Sequence, residues 1–304
     1  MGLTAADLHG VIPAIVTPFT EDGERLDEAA LRAITRYVLD GGVHAIMTTG
    51  GTGEFPHLTA EERTVVTRIV VDEVAGRVPV IAGTAACSTR EVLLLSEAAA
   101  RVGAAAVIVT APYYFRLPLS ALYQHYVTIA RRSPLPVVVY NNPLYTGNDL
   151  PPSLILDLAQ VEGIIGLKQS NPDLGLLVEI VRQVGDRFSV LTGIDSQFYP
   201  SLCVGARGIF STAACVVPRQ MVELYALTRA ERHAEARTLH LRLQALNRFL
   251  EYDPGYVAPC KEALAMIGLP AGPVRAPLPS LTPAEREALR QALAELGLLP
   301  APAV

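Results

Sequence analysis

The 304-residue chain has almost no lysine: Lys168 and Lys261 are the only two, and every other basic residue is arginine. Its net charge of −5 comes without a basic stripe, which excludes the electrostatic footprint of a nucleic-acid binder. Of the four cysteines, Cys87, Cys203, Cys215 and Cys260, no two form a C-x-x-C pair, which argues against a zinc ribbon or a disulfide framework. They read as reduced thiols, and the expected compartment is the cytoplasm. The six histidines form neither H-x-H nor H-E-x-x-H, so no histidine metal site is expected. No apolar run is long enough for a membrane span. The opening "MGLTAADLHG" lacks the basic region and apolar stretch of a signal peptide. There is no G-x-G-x-x-G after the first apolar run and no G-K-[S/T] of a P-loop.

What is present is a rhythm. Short β-branched runs at 11–17, 45–48, 78–82, 105–110, 136–140, 164–168, 188–192 and 208–210 alternate with amphipathic stretches at 27–40, 60–75, 89–102, 120–132, 152–160, 173–184, 197–204 and 218–228. The runs are apolar on both faces, as in strands of a buried parallel sheet. Capping boxes are expected at Thr59 with Glu62 and at Ser88 with Glu91. Eight strand–helix units give the count of a (β/α)8 TIM barrel. After about residue 230 three helical stretches follow without strands, so the chain divides into a barrel at 1–230 and a C-terminal helical extension at 231–304.

In such a barrel, chemistry gathers where the strands end. Those ends carry "TTGGTGEF" (48–55), "APYYFR" (111–116), Tyr140 with "NNPLYTG", Lys168, "GIDS" (193–196) and "STAA" (211–214). Lys168 closes the apolar run "IIGLK", where an ammonium is costly unless it is paired or neutral. Arginine, always charged, could not serve as a neutral amine nucleophile. A neutral lysine attacks a ketone to form a Schiff base, whose iminium accepts electrons as a neighbouring bond breaks. Tyr140, on the adjacent strand, has the phenol to shuttle a proton. The "GGTGE" turn offers backbone N–H groups and the Thr52 hydroxyl to a carboxylate. Plainer readings stand beside these: Lys168 as a structural lysine paired with a carboxylate, Tyr140 as a strand-ending β-former, "GGTG" as a flexible loop, and His57 and His125 as surface or core residues.

The motifs "GGTGEF", "PYYF", "YNNPLYTG", "GLKQS" and "GARGIFS", in this order and spacing, resemble the dihydrodipicolinate synthase and N-acetylneuraminate lyase family over nearly the whole chain. The resemblance implies a (β/α)8 barrel with a helical extension, a homotetramer, and a lyase of class I. Such an enzyme forms a lysine Schiff base with pyruvate or another 2-oxo acid and uses neither a metal nor an organic cofactor. It implies Lys168 as the Schiff-base lysine and Tyr140 as the proton shuttle. Thr52 and the backbone of Gly51 would hold the carboxylate, Tyr114 would reach a neighbouring subunit's site, and the backbones of Gly193 and Ile209 would line the pocket.

Two departures bear on the substrate. Gly51 stands where the synthases have a relaying threonine, opening room beside Tyr140. Tyr145 stands where they have an arginine that grips the carboxylate of aspartate semialdehyde, and a phenol cannot make that bidentate pair. The expected reaction is therefore aldol cleavage or condensation, or dehydration, of a 2-keto-3-deoxy sugar acid or related 4-hydroxy-2-oxo acid. The alternatives are 4-hydroxy-tetrahydrodipicolinate synthase, condensing pyruvate with aspartate semialdehyde, and a non-catalytic 2-oxo acid binding protein.

Overall fold

In the computed structural model, which describes residues 3–251 and 255–300, each apolar run serves two cores at once. The strands are β1 (Gly10–Pro13), β2 (Ile46–Thr48), β3 (Val80–Gly83), β4 (Ala106–Thr110), β5 (Val137–Asn141), β6 (Ile164–Gln169), β7 (Ser189–Thr192) and β8 (Gly208–Ser211). Successive side chains on a strand face opposite ways. Ile12, Ile81, Ile108, Val138, Leu191 and Phe210 fill the barrel interior. Their neighbours Val11, Val80, Val107, Val139, Val190 and Ile209 pack outward against helices. That double burial explains runs without polar alternation.

All pairings are parallel, in the order β1-β8-β7-β6-β5-β4-β3-β2. The β1–β2 seam is closed by a parallel bridge between Ala14 and Met47 and by His44 N–H donating to the Val11 carbonyl at 2.9 Å. Eight parallel strands with helices between them, followed by a helical extension, make a (β/α)8 TIM barrel. The first strand is shorter than the 11–17 expected. Past Pro13 the backbone divides its bonds, Ala14 N–H going to Ser211 of β8 and Ile15 N–H to Met47 of β2.

The surrounding helices are α1 (Glu28–Asp40), α2 (Ala60–Val74), α3 (Thr89–Arg101), α4 (Leu119–Arg132), α5 (Pro143–Thr146), α6 (Pro152–Leu158), α7 (Leu174–Gln183), α8 (Phe198–Cys203) and α9 (Pro218–Arg229). Thr59 and Glu62 form the full capping box expected at α2. Ser88 accepts from Glu91 N–H at α3, but Glu91 does not return the bond, so that box is half made.

α10 (His233–Leu250), α11 (Val257–Met266) and α12 (Pro283–Glu295) follow. The expected boundary near 230 falls in the turn between α9 and α10. Leu243, Leu246, Leu264, Leu289 and Leu293 belong to the same hydrophobic cluster as Val11, Ile15 and Ala213, so the core continues across it. Of the extension expected at 231–304, residues 252–254 and 301–304 lie outside the described residues, as do residues 1 and 2 of the opening segment. No helix among the described residues is long and apolar enough to cross a membrane.

Candidate active site

A bulge sets the direction of Lys168. The β5–β6 register pairs Val137 with Ile164, then skips a residue to pair Val138 with Gly166, Val139 with Leu167 and Tyr140 with Lys168. Strand parity fixes which face a side chain takes, so one extra residue resets it. Leu167 thereby joins Val139 in the outer layer, and Lys168 turns inward beside Tyr140. Its Nζ lies 4.2 Å from the Tyr140 ring centroid and 5.7 Å from that of Phe210. The residue is 6% exposed. Among the described residues it makes no ion pair.

Gly193, at the end of β7, makes this placement possible. A Cβ there would stand 2.6 Å from Lys168 Cε and 2.1 Å from Ser170 Oγ. The lysine stem crosses the space a side chain would fill.

The other lysine answers to the structural reading weighed for Lys168. Lys261, on α11, is 3% exposed in its side chain and pairs at 2.5 Å with Glu54, which is 0% exposed. Its ammonium also donates to the Pro273 carbonyl at 2.7 Å and lies 4.2 Å from the Phe19 ring centroid. Burial pulls this ammonium's pKa down, and the Glu54 carboxylate opposes the pull.

The cavity around Lys168 has a volume of about 310 Å³, at the small end of small-molecule sites. Gly51, Thr52, Tyr140, Tyr145, Lys168 and Gly193 of the predicted set line it, together with Asn142, Ser170, Asp195, Thr212, Glu251 and Tyr256. A second lobe of about 360 Å³ shares Gly51, Tyr140, Asn142, Tyr145 and Tyr256 and runs toward Phe55 and Tyr113. No arginine lines either lobe among the described residues. A larger groove, about 800 Å³, runs over α3 and α4 outside the barrel and holds none of the predicted residues.

Asn142 Nδ2 donates to the Tyr140 hydroxyl at 2.9 Å, which leaves the phenol's own proton to be given elsewhere. In the "GGTGE" turn, Glu54 N–H and Phe55 N–H reach back to the carbonyls of Gly51 and Gly50. The N–H groups of Gly51 and Thr52 find no acceptor among the described residues. The turn is not a loose loop: Thr49 and Glu54 hold φ of 49° and 58°, and Thr49 Oγ1 is tied to the Gly83 carbonyl at 2.9 Å. Thr52 Oγ1 lies 3.0 Å from Thr212 Oγ1. Thr212 is held in turn by Asp195, whose carboxylate accepts from Ser211 Oγ and from the N–H groups of Thr212 and Ala213. Burial raises the Asp195 pKa, while these bonds and the Lys168 charge work against the rise. Ser170 Oγ and, in the second lobe, Thr110 Oγ1 are buried without a partner among the described residues. Orphaned polar atoms around a cavity fit a polar ligand.

The Ile209 side chain is turned by β8 alternation into the outer core and is fully buried there, so any part it has in the pocket is that of its backbone. The room expected above Gly51 is filled, since a Cβ on Gly51 would lie 2.2 Å from the Tyr256 hydroxyl. Tyr114 stands outside the cavity of its own chain, 87% exposed at a φ of 83°. Tyr145 rides on the one-turn helix α5, and its ring lies 6.2 Å from that of Tyr256. His125 is buried and His57 is partly buried. The four cysteines are free thiols, Cys87 and Cys203 exposed, Cys215 and Cys260 buried.

Residues 7–296 match the model of the Dihydrodipicolinate synthetase family. The chain belongs to that family. It is 40% identical over 296 residues to the 4-hydroxy-tetrahydrodipicolinate synthase of Methanopyrus kandleri, covering 96% of this chain and 98% of the relative. It is equally 40% identical over 292 residues to an uncharacterised DapA-like lyase of Halobacterium salinarum, covering 96% of this chain and 95% of the relative. The crystal structure of dihydrodipicolinate synthase from Aquifex aeolicus superposes with a TM-score of 0.91 at 35% identity, covering 97% and 100% of the two chains. YagE, a prophage protein of the same family from E. coli K12 crystallised with pyruvate, gives 0.92 at 32% identity over 96% and 99%. The chain is thus a lyase of this family.

Proposed function

We propose that the protein is a class I lyase that forms a Schiff base between Lys168 and pyruvate or another 2-oxo acid. The observation that carries this reading is a buried lysine that pairs with no carboxylate among the described residues, set against the Tyr140 ring in a polar cavity. The amine attacks the C2 carbonyl, and the oxygen leaves as water. The substrate carboxylate lies on the N–H groups of Gly51 and Thr52 and on the Thr52 hydroxyl. Tyr140, accepting from Asn142, gives and takes the protons of carbinolamine and enamine. No metal or organic cofactor enters this scheme.

The second substrate is a hydroxylated chain. The retained chemistry would serve a 2-keto-3-deoxy sugar acid or related 4-hydroxy-2-oxo acid, by aldol cleavage or condensation or by dehydration. Where a semialdehyde carboxylate would need a cation, the cavity offers Tyr145 and no arginine. The names of the relatives favour a second reading, 4-hydroxy-tetrahydrodipicolinate synthase. Side-by-side kcat/KM measurements separate the two. The first reading expects the hydroxylated 2-oxo acids to exceed pyruvate with aspartate semialdehyde by at least about tenfold, the scale of one lost charge-assisted contact. If aspartate semialdehyde is the best substrate, the second reading stands.

The working form is a homotetramer in the cytoplasm, with Tyr114 completing a neighbouring subunit's site across a two-fold interface. Two features support this: the left-handed backbone at Tyr114, which costs energy in a free chain, and the exposed Tyr114, Phe115 and Leu119 side chains beside it. Light scattering showing a fully active monomer would refute it.

A further inference from the structure

Among the described residues two carboxyl groups line the Lys168 cavity, Asp195 and Glu251, and they are held differently. Asp195 gives its oxygens to Ser211, Thr212 and Ala213. Glu251 sits at the C-cap of α10, where its side chain accepts from Ser196 N–H and pairs with no basic residue among those described. Asp195 uses both of its oxygens in these bonds, whereas the bond from Ser196 occupies Glu251 Oε1 and leaves Oε2 on the cavity wall without a hydrogen-bond partner among the described residues. We propose that Glu251 determines specificity for the part of the substrate beyond the 2-oxo acid carbons: its carboxyl hydrogen-bonds a chain hydroxyl and turns away a chain that ends in a second carboxylate. This rests on the Schiff-base reading of Lys168.

The physical reason is the versatility of a carboxyl group at this place. Ionised, it accepts from a hydroxyl and repels an anion; protonated, it also donates. Burial raises its pKa to about 7, the Asp195 charge adds to the rise, and the bonds from Ser196 and Asp195 oppose it. Both forms are therefore populated near neutral pH. Among the described residues, the titratable groups around it are Asp195, Lys168, Tyr140, Tyr145 and Tyr256 of the cavity, and His240 of α10, whose ring bonds the Ser196 backbone. A hydroxyl tolerates either protonation state of Glu251. A carboxylate-ended chain meets repulsion that grows as pH rises through 7.

The test compares three 2-oxo acids: 2-keto-3-deoxygluconate, 4-hydroxy-2-oxopentanoate, which lacks the distal hydroxyls, and the diacid 4-hydroxy-2-oxoglutarate. Glu251→Ala should raise KM for the sugar acid about tenfold while leaving the methyl-ended analogue within about twofold. Glu251→Gln should restore the sugar acid KM, raise kcat/KM for the diacid by about tenfold, and abolish the diacid's loss of kcat/KM between pH 6 and 8. Equal effects of Glu251→Ala on the sugar acid and the methyl-ended analogue, or none on either, would overturn the assignment. Pyruvate trapping by borohydride in the wild type is read in parallel. Trapping at Lys168 with unaltered selectivity in both variants defeats this inference alone; absence of trapping defeats the Schiff-base reading and this inference with it.

Discussion

The same substitution at the two lysines should have opposite consequences. Lys261→Met removes the cation facing Glu54, a carboxylate with no exposed side-chain surface, and leaves the Pro273 carbonyl without its donor. The Arg275 N–H, 2.9 Å from the other Glu54 oxygen, remains but carries no full charge. Stripping one member from a buried pair costs about 3–5 kcal/mol. Lys168→Met breaks no ion pair among the described residues and should stay within about 1 kcal/mol of wild type. Urea unfolding of both variants at one chain concentration measures both effects. A Lys261→Met protein as stable as wild type, or a Lys168→Met protein that loses as much as Lys261→Met, would refute the reasoning.

Three further perturbations follow from single contacts. Gly51→Ala places a methyl against the Tyr256 hydroxyl and should cost about 1–3 kcal/mol by overpacking; Tyr256→Phe leaves the nearest ring carbon at 3.5 Å, so the double variant should recover most of the loss in a double-mutant cycle, and additive losses would contradict the contact. Burial lowers the His125 pKa to about 4, so below pH ~6.5 unfolding takes up a proton; stability should fall by on the order of 3 kcal/mol from pH 6.5 to 4, and His125→Asn should flatten that limb of the curve. Tyr140→Phe should keep the fold and slow turnover about 10²-fold or more, and wild-type turnover by that variant would remove Tyr140 from the chemistry.

The barrel was legible because its signal is local. Double burial of "AAVIVT" and "PVVVY" writes itself into composition, and the strands at Ala106–Thr110 and Val137–Asn141 lie within a residue of their expected bounds. Lys168 and Tyr140 could be placed at one mouth because both end such runs. The capping box of Thr282 with Glu285 was equally local and went unread. One turn of helix, Pro143–Thr146, is too short for any periodicity to announce it. The groups brought by the C-terminal helices were of another kind. Nothing in "LEYDPGYVAPCK" marks Glu251 as a wall of the cavity, Tyr256 as the occupant of the space over Gly51, or Lys261 as the partner of Glu54. Those relations exist only once the extension has packed on the barrel.

The central claim is that Lys168, and not Lys261, is the amine that carries the chemistry. Borohydride reduction of the wild-type protein with pyruvate, followed by intact mass and peptide mapping, tests it most directly. The account predicts one reduced pyruvate per chain, located at Lys168 and absent from Lys168→Met. An adduct at Lys261, or no adduct with pyruvate or any other 2-oxo acid, would contradict it.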